Sequence, residues 1–124
     1  MRVLLVDDYE LVRRLLGAML ERLNHVVLTA ASASEALRIC REQSPEVIFT
    51  DYGLPGINGI ELAKRLKELN PAAPVILITG WTLDLPQAQL SSHGVDFLLH
   101  KPFRCQDVET LLLECTKRAT GGSL

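Results

Sequence analysis

The sequence predicts a doubly wound α/β sandwich, with helices covering both faces of one parallel five-stranded sheet. Three observations carry this. Short apolar runs alternate with amphipathic helical patterns along the whole chain. Several runs are almost continuously apolar, as strands are when both faces of their sheet are covered. The 124 residues, 48% hydrophobic and 23% charged, make one ordinary domain able to bury a core without disulfides or structural metal.

The first strand is expected at Arg2 to Val6. Leu11, Leu15, Leu16, Met19, Leu20 and Leu23 then recur at three- to four-residue spacing, so the first helix offers an apolar stripe to the sheet. Val26 to Ala30 is the second strand. Ser34, Glu35, Ala36, Leu37 and Ile39 make the second helix, stopped before Pro45. The third strand is expected at Glu46 to Thr50. Asn58 caps a third helix carrying Ile60, Ala63, Leu66 and Leu69, and Asn70-Pro71 ends it. Pro74 to Thr79 is the fourth strand. Asp84 and Pro86 start a fourth helix, but Ser91, Ser92 and Gly94 are poor helix formers, so a short and mobile element is expected. After a fifth strand at Val95 to Leu99, the last helix runs from about Cys105 to Lys117, with Val108, Leu111, Leu112 and Cys115 inward. Residues 1–118 therefore read as the domain and 119–124 as a flexible tail or linker remnant.

Repeated β-α units imply right-handed crossovers onto one parallel sheet. Five strands suit the flavodoxin-like order 2-1-3-4-5, whose switch point lies between strands 1 and 3. A ligand is expected there, at the carboxyl ends of the strands.

Composition narrows the function. A net charge of −2 with scattered Lys and Arg gives no reason to expect direct binding of nucleic acid or of an anionic membrane. No apolar run approaches the ~20 residues needed to span a bilayer. Asp7 and Asp8 interrupt the start before a signal-peptide core could form. Cys40, Cys105 and Cys115 show no metal spacing and fit a reducing cytoplasm, where the protein is expected to reside. His25, His93 and His100 read as solvated surface residues.

The residues that end the strands point to a chemistry. Asp7 and Asp8 follow the first strand, Asp51 the third, Thr79 and Gly80 close the fourth, and Lys101-Pro102 follows the fifth. Strands 1, 3, 4 and 5 are consecutive in the expected order, so these groups would line one cleft. Clustered carboxylates repel, and a hard divalent cation is their natural compensation. Magnesium takes oxygen ligands and usually needs only one or two carboxylates beside a phosphate oxygen. Lys101 and Thr79 then look like partners for a phosphoryl group. Alone, each feature has a plain structural reading, as an N-cap, a loop residue, a strand end or a turn. Their conjunction at successive strand ends is what signifies.

The motifs V-L-L-V-D-D at Val3 to Asp8, I-F-T-D-Y-G-L-P-G-I-N-G at Ile48 to Gly59, L-I-T-G at Leu77 to Gly80 and K-P-F at Lys101 to Phe103 resemble the receiver domain of two-component response regulators. The resemblance covers essentially the whole chain. It implies that Asp51 is the phosphoacceptor, loaded by a histidine kinase or a histidine phosphotransfer protein. It implies Mg2+ bound directly by Asp8, by Asp7 directly or through water, by Asp51, and by the main-chain carbonyl of Gly53. Lys101 would pair with the phosphoryl group, through a peptide to Pro102 that can be cis, and Thr79 would move toward it as the switch hydroxyl. The fourth helix, fifth strand and last helix would form the surface that changes for a downstream protein target or a homodimer. Catalysis would be limited to self-phosphotransfer and self-dephosphorylation.

The sequence departs from the family pattern on the fifth strand. The position that carries Tyr or Phe in receivers with a Thr-aromatic switch is Leu98 here, and Phe97 would face the other side. Readout would then run through the backbone or through Trp81 at the cleft rim. Gly53 leaves no side chain to place or block a hydrolytic water. Two other functions use similar parts. A phosphohydrolase of the haloacid dehalogenase type wants D-x-D after the first strand, whereas this chain has Asp7-Asp8-Tyr9. A receiver-like interaction module that needs no phosphate would not require the Asp8, Asp51, Thr79 and Lys101 set. The residues after Lys101 leave room for one helix, so output is expected by protein contact, either from a stand-alone regulator or from one part of a larger protein.

Overall fold

The computed structural model describes residues 1–80 and 87–121. In chain order it comprises β1 (Arg2–Val6), α1 (Glu10–Arg22), β2 (Val26–Ala30), α2 (Ala33–Gln43) and β3 (Val47–Asp51). Then come α3 (Gly59–Leu69), β4 (Val75–Thr79), α4 (Gln87–Ser92), β5 (Phe97–His100) and α5 (Cys105–Gly121). The sheet order is β2-β1-β3-β4-β5 and every pairing is parallel, as the alternation of segments requires.

Burial follows from position in the sheet. Every residue of β3 and β4 is buried, and both read as apolar runs up to their polar ends at Thr50-Asp51 and Thr79. The two-residue period of a strand divides the core into two layers. Leu4, Val6, Ile48 and Leu77 face α2 and α3 through Ile39, Leu62 and Leu66. Val3, Leu5, Phe49, Ile76 and Ile78 face α1 and α5 through Leu16, Leu20, Val108 and Leu112. Each such side chain, taken out of water, contributes about 1.5–3 kcal/mol before conformational entropy is charged against it.

Helix starts follow their capping residues. Asn58 accepts the Ile60 N–H at 2.7 Å, as expected for α3. Ser32 accepts the Glu35 N–H at 3.3 Å, and Glu35 reaches back to the Ala31 N–H, so α2 begins ahead of Ser34.

Other boundaries and faces also differ from expectation. The first helix buries Leu16, Gly17 and Leu20, whereas Leu11 and Leu15 are 73% and 52% exposed. Two adjacent rows wind around α1, each at i, i+4 spacing: the Leu16–Leu20 row is buried along its length, whereas the row from Leu11 and Leu15 reaches the core only at its later members, Met19 and Leu23. The third strand ends on Asp51, which therefore belongs to the sheet edge itself. The fifth strand starts at Phe97 because Val95 is occupied closing α4, its N–H donating to the Leu90 carbonyl. Asp96 serves the corner instead, accepting from the Val75 N–H and from Lys67 Nζ, both at 2.8 Å. The last helix continues past Lys117 to Gly121, since nothing in Arg118-Ala119-Thr120 breaks it before the Gly121-Gly122 pair.

Among the described residues the fourth helix covers six, Gln87–Ser92. Its expected start at Asp84 and Pro86, like Trp81, lies outside the described residues. No helix among the described residues is long and apolar enough to cross a membrane.

Thr50 is the odd residue in the core. It is fully buried on β3, and its hydroxyl finds no hydrogen-bond partner among the described residues. An unsatisfied buried donor costs about 1–3 kcal/mol, so Thr50→Val is expected to stabilise the metal-free protein by roughly 1 kcal/mol. Urea denaturation measures this directly, and a comparable loss of stability would show that the hydroxyl is satisfied.

Candidate functional site

The site lies at the carboxyl ends of β1, β3, β4 and β5. Asp7 leaves β1 fully buried, Asp51 ends β3 at 8% exposure, and Thr79 ends β4 at 1%. Asp8 is exposed at the start of the loop into α1. Lys101 follows β5, its N–H donating to the Thr79 carbonyl at 2.8 Å, and its peptide to Pro102 is cis. Parallel register brings these distant residues together, as expected from the strand order.

Asp7 is anchored at several atoms. Its N–H donates to the Ala30 carbonyl at 3.1 Å, extending the β1-β2 ladder. Its Oδ1 accepts the Tyr9 N–H at 2.9 Å. Its main-chain carbonyl accepts from Arg13 Nη1 at 2.6 Å. Oδ2 has no hydrogen-bond partner among the described residues and lies 3.6 Å from Lys101 Nζ. The same ammonium donates to Asp51 Oδ1 at 3.2 Å.

One carboxylate oxygen from each of Asp7, Asp8 and Asp51 lies within 4.8 Å of the others. Three carboxylates outnumber the Lys101 ammonium among them and the Arg13 guanidinium behind Asp7, so the cluster keeps an excess of negative charge. Burial pushes the Asp7 carboxyl above its usual range, and the nearby Asp51 and Asp8 charges push the same way. The Tyr9 N–H and Lys101 oppose this without overcoming it. A buried carboxylate oxygen lacking a hydrogen bond, in an all-oxygen cluster of excess negative charge, suits a hard divalent cation.

The loop beyond β3 shapes the cleft. A Cβ at Gly53 would stand 3.7 Å from Asp51 Oδ2, an ordinary contact, so glycine there keeps the approach open without being sterically required. Gly59 is different. A Cβ would fall 2.5 Å from Tyr52 Cα and 2.7 Å from the Tyr52 carbonyl oxygen, so α3 packs onto the backbone just after Asp51. Gly59→Ala is expected to cost about 3 kcal/mol by overpacking, read as a lower denaturation midpoint. An unchanged midpoint would show that the loop yields freely.

On β5, Leu98 packs with the α2-α3 layer and pairs with Leu77, while Phe97 packs with the α1-α5 layer. Thr79 follows Leu77 at the two-residue period and shares its face. Phe97 therefore lies on the other face from Thr79, as the alternation of strand residues predicts. Arg13 and the Tyr9 N–H were not legible as site groups. A half-buried arginine in the first turn of a helix carries no signal of its own, and a main-chain donor carries none in sequence.

This architecture and cleft match a known class of signalling domain. Residues 3–113 match the response regulator receiver domain, and the chain belongs to that family. It is 36% identical over 100 residues to the transcriptional regulatory protein AfsQ1 of Streptomyces coelicolor, an alignment covering 81% of this chain and 44% of that protein. It is 30% identical to the alkaline phosphatase synthesis transcriptional regulatory protein PhoP of Bacillus subtilis, over 95% of this chain and 49% of that one. The chain thus spans about half the length of these curated relatives. A crystal structure of a response regulator receiver domain protein from Clostridium thermocellum superposes with a TM-score of 0.85 at 31% identity, covering 96% of both chains. Chemotaxis protein CheY4 of Vibrio cholerae gives 0.85 at 26% identity, over 92% of this chain and 97% of that one. The chain is therefore a two-component receiver domain of flavodoxin-like fold.

Proposed function

We propose that Asp51 accepts a phosphoryl group from the phosphohistidine of a histidine kinase or histidine phosphotransfer protein, and that the modified domain presents a changed α4-β5-α5 surface to its target. The observation that carries this reading is the ion pair of Asp51 with Lys101 beside Asp7 and Asp8, at the end of a buried strand. In the transfer, an Asp51 oxygen forms the new bond to phosphorus as the donor's phosphorus–nitrogen bond breaks, and the imidazole leaves. Little covalent chemistry is asked of the protein beyond alignment and charge neutralisation.

Asp7, Asp8, Asp51 and the Gly53 carbonyl would hold Mg2+. When bound, the ion neutralises charge developing on the transferred oxygens. Lys101, now on Asp51 and Asp7, has its ammonium where it can pair with a phosphoryl oxygen. Thr79 closes β4 beside it, and its hydroxyl is the group that would follow the new dianion. The main-chain bond from Lys101 to the Thr79 carbonyl ties both responses to the start of the β5-α5 connection. Contacts made only in the phosphorylated state bias the equilibrium of nearby elements.

Output would be a protein contact on that surface, with a downstream target or a second copy of this chain, in the cytoplasm. The relatives named as transcriptional regulators are about twice as long, so any contact with DNA would be made outside this domain. Intact-mass spectrometry after incubation with a small-molecule phosphodonor tests the reading. A gain of one phosphoryl group that requires magnesium supports it, and the absence of any gain in folded, magnesium-loaded protein contradicts it.

A further inference from the structure

We propose that Arg13 is a positioning residue for the cation site, acting by locking the main-chain carbonyl of Asp7. The inference rests on the magnesium centre proposed above and adds to it a residue outside the ligand set. The peptide between Asp7 and Asp8 is planar, so its orientation is set by one torsion at each flanking residue. Its carbonyl oxygen accepts from Arg13 Nη1 at 2.6 Å. Arg13 is itself fixed in the first turn of α1, where its N–H donates to the Tyr9 carbonyl at 3.1 Å. The Tyr9 N–H closes the loop on Asp7 Oδ1 at 2.9 Å. Together these contacts hold the short segment that carries both acidic side chains, with Asp8 between two anchored residues.

The same contacts choose the oxygen that faces the cleft. The Asp7 N–H is spent on Ala30, its carbonyl on Arg13 and its Oδ1 on Tyr9, so Oδ2 is the atom turned toward Lys101. Without the lock, the Asp7-Asp8 peptide could rotate and carry the Asp8 carboxylate away from the cluster. Groups that orient metal ligands from behind typically matter by 10–100-fold in affinity.

Positioning and simple electrostatics predict opposite signs. A guanidinium beside the site repels a cation, so by charge alone its removal would tighten binding. By the lock, removal weakens it.

The test is isothermal titration of the whole chain with Mg2+, for wild type, Arg13→Met and Arg13→Lys, alongside thermal unfolding of each metal-free protein. Arg13→Met is expected to bind about tenfold more weakly and, with the Asp7 carbonyl left without its donor, to melt somewhat lower while remaining folded. Arg13→Lys keeps the charge and a donor and is expected to recover most of the affinity. Equal or tighter binding by Arg13→Met overturns the proposal, and so does a folded Arg13→Lys that recovers nothing. Wild type that binds no Mg2+ overturns the magnesium centre as well, whereas wild-type binding with an unaffected Arg13→Met overturns the lock alone.

Discussion

Asp51→Asn is expected to abolish phosphoryl transfer to the chain while leaving the fold intact. An amide oxygen is a poor nucleophile and cannot form a stable acyl phosphate, so the loss should be complete rather than graded. The side chain is 11% exposed and its Oδ1 already accepts from Lys101, an arrangement that an asparagine oxygen can keep. Lys101 also retains its approach to Asp7. Removing one of three clustered negative charges should, if anything, stabilise the metal-free state. Intact mass after phosphodonor and magnesium is the readout. An Asp51→Asn protein that still gains a magnesium-dependent phosphoryl group would move the acceptor to another residue, with exposed Asp8 the first to examine.

Asp7→Asn is expected to stabilise the metal-free protein at neutral pH and to flatten part of its pH dependence. Burial raises the Asp7 carboxyl above its ordinary value of 3.8 in the folded state. Across the interval from that value up to the raised one, the folded protein holds this proton while the unfolded chain has lost it. By linkage, Asp7 makes stability fall as pH rises through that interval, and the penalty is full above it. Asparagine carries no such charge, and its amide can donate where Oδ2 now lacks a hydrogen bond. The gain should be roughly 1–3 kcal/mol in a chelator-containing buffer, the usual cost of an unsatisfied buried polar atom. Magnesium should narrow the gap, because only the wild type recovers a compensating charge. Chemical denaturation at several pH values, with and without magnesium, measures both effects. A less stable Asp7→Asn protein at neutral pH without metal would show that Lys101 already satisfies the carboxylate.

The two predictions share one physical idea: charge is stored unfavourably at the end of the sheet. Asp7, Asp8 and Asp51 are held close enough to repel, with one ammonium among them. Such a site gains stability from any hard cation and from any rearrangement that spreads the charge.

Much of this is legible in the sequence. Continuous apolar runs such as Val75–Thr79 announce central parallel strands, and strand order follows from right-handed crossovers. The end residue of each strand then falls into one cleft, so Asp7, Asp8, Asp51, Thr79 and Lys101 could be named together. What could not be read depends on rotation and main-chain contacts. Both leucine rows of α1 have helical spacing, and sequence alone does not say that Leu16 and Leu20 face inward while Leu11 and Leu15 do not. The fifth strand begins late because Asp96 binds Lys67 and the Val75 N–H, a corner built from three separate elements. Arg13 reaches a backbone carbonyl, and no spacing rule marks such a contact. Thr50 reads as an ordinary strand residue, and only its burial reveals the unsatisfied hydroxyl.

The central claim is that Asp51 is the residue modified. Borohydride reduces an aspartyl phosphate to homoserine, a stable mark that survives digestion and peptide sequencing by mass spectrometry. Applied to magnesium-loaded protein treated with a phosphodonor, it is predicted to place homoserine at position 51 and nowhere else. Homoserine at another aspartate, or none in folded protein that has bound magnesium, would contradict the account.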